Sequence, residues 1–212
     1  MKTGILWDLD GTLLDTLEDL KEGVNHALGQ FGYPPRTLAE VRRFVGNGAR
    51  VLLTKAAPEG ADVDTLLKTF HAYYDIHCIG KTKPYPGIPE ALAALGEKYP
   101  MAIVSNKPHS AVTPLCERYF PGMYARGETP GCPRKPAPDM VYRAMEAIGV
   151  EHCIYVGDSE VDVQTANNAR MPCLSVLWGF RDREDLEAVG AKHFCEDPAR
   201  LAEVIEEMIN GQ

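Results

Sequence analysis

The sequence is poor in the features that usually announce zinc, membrane or nucleic-acid chemistry. No two of its six cysteines (Cys78, Cys116, Cys132, Cys153, Cys173 and Cys195) fall at C-x-x-C spacing, so neither a zinc site nor a redox pair is signalled. Its six histidines show no H-x-x-x-H or H-E-x-x-H pattern, which excludes the helical zinc-protease arrangement. No apolar run approaches the ~18 residues needed to cross a bilayer. Met1-Lys2-Thr3-Gly4 runs straight into a strand with no signal-peptide layout. Positive charge is also scarce, with 22 Lys and Arg against 30 Asp and Glu and a formal net charge of -8. That balance argues against a protein that tracks phosphate backbones. The expectation is a cytoplasmic protein with free buried thiols, no nucleic-acid partner and no membrane partner, either a monomer or a homodimer.

What is present is ordinary globular composition, 45% hydrophobic and 25% charged over 212 residues. That length suits one large domain, or one domain with a smaller insert. The chain is organised around Trp7-Asp8-Leu9-Asp10-Gly11-Thr12. The apolar run Ile5-Leu6-Trp7 suits a strand buried on both faces, and Gly11-Thr12 suits a tight turn. Asp8 and Asp10 therefore emerge where a buried strand reaches the surface, and positions i and i+2 of a strand face the same way.

After Thr12 the pattern becomes helical. Asp15 is the expected N-cap, with Glu18 completing a capping box, and Leu17, Leu20, Val24, Ala27, Leu28 and Phe31 mark one apolar face. Thr37 and Glu40 repeat the capping pair. Gly46-Asn47-Gly48 breaks the pattern, helix resumes to Ala57, and a longer amphipathic stretch covers Val63 to His77. Helices with no second strand, following so soon after the first, imply an insertion over residues 15–81. The core is then 1–14 and 82–212. From Pro84 onward, strands at Met101–Val104, Cys153–Val156 and Cys173–Leu177 alternate with helices. The expected class is α/β, a Rossmann-like parallel sheet covered on both faces, with a helical cap inserted.

Such sheets bind ligands beyond the carboxyl ends of their strands. Asp8, Asp10, Ser105, Asn106 and Asp158 each follow an apolar strand, so the topology gathers them at one edge, where Lys135 and Asp162 join them. Like charges at ~4 Å repel by about 4 kcal/mol at an effective dielectric of ~20. The cluster therefore calls for a cation, and hard oxygen donors with open positions point to Mg²⁺. A carboxylate can serve as a covalent nucleophile through an aspartyl-phosphate. The Ser105 hydroxyl can donate to phosphoryl oxygens, and a second aspartate can move protons.

Asp8-Leu-Asp10-Gly-Thr12, Val104-Ser105-Asn106-Lys107-Pro108, Lys135-Pro136 and Gly157-Asp158-Ser-Glu-Val-Asp162 resemble the four motifs of the haloacid dehalogenase superfamily, in order. The resemblance covers nearly the whole chain. It implies Asp8 as nucleophile, Asp10 as general acid/base, and Ser105 and Lys135 as the phosphoryl-binding pair. The metal set it implies is Asp158, the Asp8 side chain and the Asp10 backbone carbonyl, with Asp162 in support. An acid at position 10 fits phosphatases and phosphomutases. The short helical cap, Val45 to Ala49, Tyr85-Pro86-Gly87 and Leu177 to Arg181 look most like the phosphoglycolate phosphatase branch. Arg170 departs from that branch, which usually has Gly there. Thr12, Asn106 and Arg50 are further candidates for substrate binding, Arg50 as reader of a substrate carboxylate. The implied partner is a small phosphorylated metabolite, with 2-phosphoglycolate first. A phosphosugar mutase, a pyrophosphatase and a non-catalytic phospho-signalling module remain as alternatives.

Overall fold

The apolar runs of this sequence are strands covered on both faces, and the covering helices come from the segments between them. The computed structural model describes residues 2–211; Met1 and Gln212, the outer ends of the expected core, lie outside it. The chain begins with β1 (Thr3–Trp7) and the short β2 (Leu14–Asp15). Four helices follow, α1 (Leu17–Gln30), α2 (Leu38–Phe44), α3 (Gly48–Ala56) and α4 (Val63–His77). The short β3 (Lys83–Pro84) leads to α5 (Ile88–Gly96), β4 (Met101–Pro108), α6 (His109–Tyr119) and β5 (Tyr124–Glu128). Then come α7 (Asp139–Ile148), β6 (His152–Gly157), α8 (Glu160–Asn168), β7 (Cys173–Val176), α9 (Arg183–Ala188), β8 (His193–Cys195) and α10 (Leu201–Asn210).

Six strands form one parallel sheet in the order β5-β4-β1-β6-β7-β8. Strand alternation divides the core in two. Ile5, Trp7, Ile103, Ile154 and Val156 face one way, toward Leu92 of α5, Leu115 of α6 and Ile205 of α10. Leu6, Ala102, Val104 and Tyr155 face the other way, toward Met140 and Ala144 of α7 and Ala166 of α8. Each fully buried aliphatic side chain contributes roughly 1.5–3 kcal/mol through burial. The fold is α/β with both faces of its parallel sheet covered. From β1 the strand order runs through β4 to β5 on one side and through β6 to β8 on the other. The carboxyl end of β1 is therefore the switch point where α/β sheets open a crevice.

The four-helix segment is inserted at that end. β2 and β3 pair antiparallel, Leu14 with Pro84 and Asp15 with Lys83, so the outgoing and returning chains run side by side. The chain leaves the sheet for the helices, and returns from them, through this ribbon. The buried Asp19 carboxylate ties the returning chain to α1, accepting from the Lys81 N–H at 2.9 Å and the Thr82 N–H at 2.8 Å. Gly23 lets α1 close on α4, since a Cβ there would lie 2.9 Å from Phe70 Cε2. Among the described residues no helix is long and apolar enough to cross a membrane. All six cysteines are free, five of them buried.

Local expectations met mixed outcomes. The Thr37–Glu40 capping box is present. The Asp15–Glu18 box is not: α1 starts at Leu17 behind Thr16, which makes no side-chain cap. The Asp15 carboxylate instead accepts from the Leu17 N–H at 3.3 Å, because Asp15 itself is drawn into β2. β4 runs on through Pro108, so Ser105, Asn106 and Lys107 belong to the strand rather than to the turn after it.

Candidate active site

Asp8 and Asp10 leave β1 at the switch point, and each is met by its own lysine. Lys135, on the loop between β5 and α7, donates to Asp8 Oδ1 at 2.8 Å. Lys107, near the end of β4, donates to Asp10 Oδ1 at 2.8 Å. Both lysines are buried. Lys135 also donates to Asp162 Oδ1 at 2.7 Å and Tyr155 Oη at 3.0 Å, so its three N–H groups meet three acceptors. Burial alone would discharge such an amine, but Asp162 and Asp8 hold it protonated, well above the ordinary lysine range.

The carboxylates feel the same burial with the opposite sign. Asp8 is pushed up to about 7, chiefly by desolvation, with Lys135 opposing and Asp162 and Asp10 adding to the rise. Asp158 is held well above the usual carboxylate range by desolvation, then by Asp162 and Asp8, against the Phe180 N–H and Arg181. The cluster is thus short of positive charge even with Lys135 in place.

Its oxygen atoms show where that charge would go. One carboxylate oxygen from each of Asp8, Asp158 and Asp162 lies within 4.8 Å of the others. An all-oxygen donor set of this kind fits a hard divalent cation such as Mg²⁺. Asp162 Oδ2 already accepts from the Ser159 N–H at 3.1 Å and Ser159 Oγ at 2.6 Å, while its Oδ1 takes Lys135. Its support for the cluster therefore runs largely through Lys135 and the turn at the start of α8. The Asp10 side chain is held by Lys107, so any share it has in a metal set falls to its backbone carbonyl. Asp158 is closely wrapped. Thr12 Oγ1 donates to its Oδ1 at 3.2 Å and the Phe180 N–H to its Oδ2 at 2.7 Å. A Cβ at Gly179 would lie 2.4 Å from Asp158 Cβ, and one at Gly11 2.3 Å from Asp158 Oδ2.

The other expected residues fall into three groups. Ser105 lines the cavity beside Asp8, and its Oγ accepts from the Lys107 N–H at 3.2 Å. Thr12 and Asn106 stand at the site, but their polar groups are engaged by protein. Thr12 holds Asp158, and its carbonyl accepts from Trp178 Nε1 at 3.0 Å. Asn106 Oδ1 accepts from the Lys135 N–H at 2.8 Å, and its Nδ2 donates to the Lys135 carbonyl at 3.0 Å. Asn106 thus grips the Lys135 backbone from both sides and positions the residue that binds Asp8. Arg50, expected to read a substrate carboxylate, stands apart from these. It lies exposed on α3, pairs with Asp64 and is not among the residues lining the cavity. The helix turns it outward one position after Ala49, which does face the cavity.

Sequence reasoning passed over three residues that the fold brings in. Tyr155, on β6, holds Lys135. Tyr74, on α4, reaches Lys107 with its hydroxyl at 2.8 Å. Lys107 itself sits two residues after Ser105, and that same-face spacing was the signal available. The inserted helices close over the site, and a cavity of about 50 Å³ remains between Asp8 and Asp10 on one side and Gly46, Ala49 and Leu52 on the other. That is a few times the space one water needs.

The parallel sheet, the switch-point aspartates and the paired lysines define a hydrolase class. The chain belongs to the haloacid dehalogenase-like hydrolases, whose family model matches residues 5–176. It is 35% identical to a phosphoglycolate phosphatase of Rhodobacter capsulatus, over 97% of this chain and 98% of that one. It is 36% identical to a phosphoglycolate phosphatase of Agrobacterium fabrum, over 84% of this chain and 81% of that one. A crystal structure from Lactobacillus delbrueckii subsp. bulgaricus is similar throughout, with a TM-score of 0.90, 37% identity and full coverage of both chains. The protein is accordingly an enzyme, a phosphoric monoester hydrolase.

Proposed function

We propose that the protein is a cytoplasmic Mg²⁺-dependent phosphatase that hydrolyses 2-phosphoglycolate to glycolate and phosphate through an aspartyl-phosphate on Asp8. The observation that carries this reading is the pairing of Asp8 with Lys135 and of Asp10 with Lys107 at one end of one cavity. Two carboxylates from one loop are thereby given separate neighbours and can take separate roles. Relatives named phosphoglycolate phosphatase along almost the whole chain support the substrate.

In this mechanism an Asp8 oxygen attacks phosphorus, and the bond from phosphorus to the glycolate oxygen breaks. Asp10 gives the departing oxygen a proton. Asp10 then takes a proton from water as that water attacks the phosphorus, the Asp8–phosphorus bond breaks, and phosphate leaves. Ser105 donates to the phosphoryl oxygens while charge builds on them, and Lys135, its donors on Asp8, Asp162 and Tyr155, adds its positive charge beside them. Phosphoryl transfer asks a protein mainly for this positioning and charge neutralisation. Mg²⁺, held by Asp8, Asp158 and the Asp10 carbonyl with Asp162 behind them, would neutralise negative charge between nucleophile and phosphate. The inserted helices act as the cap, excluding bulk water when closed.

The test is phosphate release with Mg²⁺ from a panel of 2-phosphoglycolate, pyrophosphate and sugar phosphates. The reading expects phosphoglycolate to have the highest kcat/KM. Preference for pyrophosphate, or phosphoryl return to a sugar without net release, would replace it.

A further inference from the structure

Within the cavity lining, positive charge among the described residues comes from Lys107 and Lys135. Lys135 is saturated: its three donors are taken by Asp8, Asp162 and Tyr155. Lys107 is not. Among the described residues its partners are Asp10 Oδ1 and Tyr74 Oη, each at 2.8 Å, and an ammonium carries three donors. It also stands 4.7 Å from the Tyr74 ring centroid, so the α4 aromatic covers it. Burial would favour the neutral amine, but Asp10 and the Tyr74 hydroxyl keep Lys107 charged above its ordinary range.

Location distinguishes the two lysines further. Lys135 touches the nucleophile Asp8, which marks the phosphoryl side. Lys107 touches Asp10, which must lie beside the leaving oxygen to protonate it. Lys107 is thus the cation next to whatever the leaving alcohol carries. Facing it across the cavity is the start of α3, where Gly48 takes a φ of +81° and Gly46 a φ of +119°. Those values suit glycine and let the backbone turn in close. The first N–H groups of α3 add partial positive charge at the same lining.

We infer that Lys107, steadied by Tyr74, is the specificity-determining residue that binds an anionic substituent on the leaving alcohol. The substrate class is then a short phosphate monoester whose alcohol bears a carboxylate or comparable anion close to the ester oxygen. This rests on the phosphatase reading and adds to it a residue that the family motifs do not assign. It also replaces Arg50 in that role, since Arg50 lies outside the cavity.

A binding experiment separates this inference from the reading beneath it. Asp8→Asn protein, with Mg²⁺, is titrated calorimetrically with 2-phosphoglycolate and with 2-hydroxyethyl phosphate, which has a hydroxymethyl group in place of the carboxylate. A hydrogen bond to a charged group supports a preference of about 10–100-fold for the carboxylate ester. In Asp8→Asn/Lys107→Met protein that preference is expected to fall below about threefold, and in Asp8→Asn/Lys107→Arg protein to survive in part. Equal affinity for the two esters with Lys107 present, or an undiminished preference with Met in its place, overturns the inference. Failure of wild-type protein to release phosphate from any ester would instead overturn the phosphatase reading, and the binding ratio would still decide the role of Lys107.

Discussion

Arg181 Nη1 donates to the main-chain carbonyl of Arg42 at 3.0 Å, and Arg42 in turn reaches back across the same gap. Arg42 Nη2 donates to the Gly179 carbonyl at 3.2 Å and to Asp182 Oδ1 at 2.9 Å. Arg181 also ends α2, donating to the Val45 carbonyl at 2.7 Å, and pairs with Glu160 Oε2 at 2.6 Å. Between these contacts lies Phe180, whose N–H holds Asp158. Four consecutive residues, Gly179 to Asp182, therefore link the inserted helices to the carboxylate cluster.

Arg181 is buried while the Glu160 side chain is 31% exposed, so removing the arginine strands its partners only in part. Arg181→Met is expected to cost about 2–3 kcal/mol, which is roughly 5–10 °C in Tm for a chain of this size. It should also lower kcat/KM about tenfold or more through loosened closure over Asp158. Thermal melts and steady-state kinetics check both. An unchanged kcat/KM would remove Arg181 from the closing mechanism.

Arg50→Ala is expected to change almost nothing. Its pairing with Asp64 joins two exposed side chains, and such pairs contribute little. Kinetic constants for 2-phosphoglycolate should stay within about twofold, and Tm within about 1 °C. A tenfold rise in KM would restore Arg50 as a substrate contact.

The buried carboxylates predict a pH-dependent response to metal. An Asp8 pKa near 7 in the folded protein, against 3.8 for the free group, means that the metal-free fold binds more protons than the unfolded chain. The associated stability is fully present below about pH 4 and is lost as the pH rises through about 7. Mg²⁺ binding to the ionised cluster offsets that loss and adds stability by mass action. After EDTA treatment, the Tm gain on adding Mg²⁺ should therefore be larger near pH 8 than near pH 5. A gain that is equal or larger at acid pH would contradict the placement of the ion at Asp8 and Asp158.

Arg170 ends α8 with a φ of 58°, the left-handed region in which a side chain is strained and glycine is not. Its N–H donates to the Asn167 carbonyl and that of Met171 to Ala166, as a helix C-terminus of this type requires. Arg170→Gly is expected to stabilise the protein by up to about 1 kcal/mol, or 2–4 °C in Tm, with unchanged activity. A lowered Tm would mean that the exposed arginine has a packing role.

Much of this architecture is legible in the sequence because strand and helix periods are local. Ile5-Leu6-Trp7, Ala102-Ile103-Val104 and Ile154-Tyr155-Val156 announce a parallel sheet, and polar residues directly after them must collect at its carboxyl edge. The insertion is legible because no strand pattern interrupts residues 17–77. What was not legible depends on directions set by packing. Whether α3 presents Ala49 or Arg50 to the cavity follows from its rotation against α4 and β4, which spacing from Gly48 does not reveal. Asn106 looked like a substrate contact because it follows Ser105 directly; only the path of the Lys135 loop shows that its amide is already used. Lys107 was hidden by its place in a motif whose other members attract attention, and Tyr74 by its resemblance to an ordinary core aromatic.

The central claim is that Asp8 is the nucleophile of a phosphatase acting on 2-phosphoglycolate. Initial rates of phosphate release from that ester with Mg²⁺, measured side by side for wild-type and Asp8→Asn protein of matching circular dichroism, test it most directly. The account predicts steady release by the wild type and a loss of at least about a thousandfold in the variant, the scale seen when a nucleophile is removed. An Asp8→Asn protein that releases phosphate at the wild-type rate would contradict it.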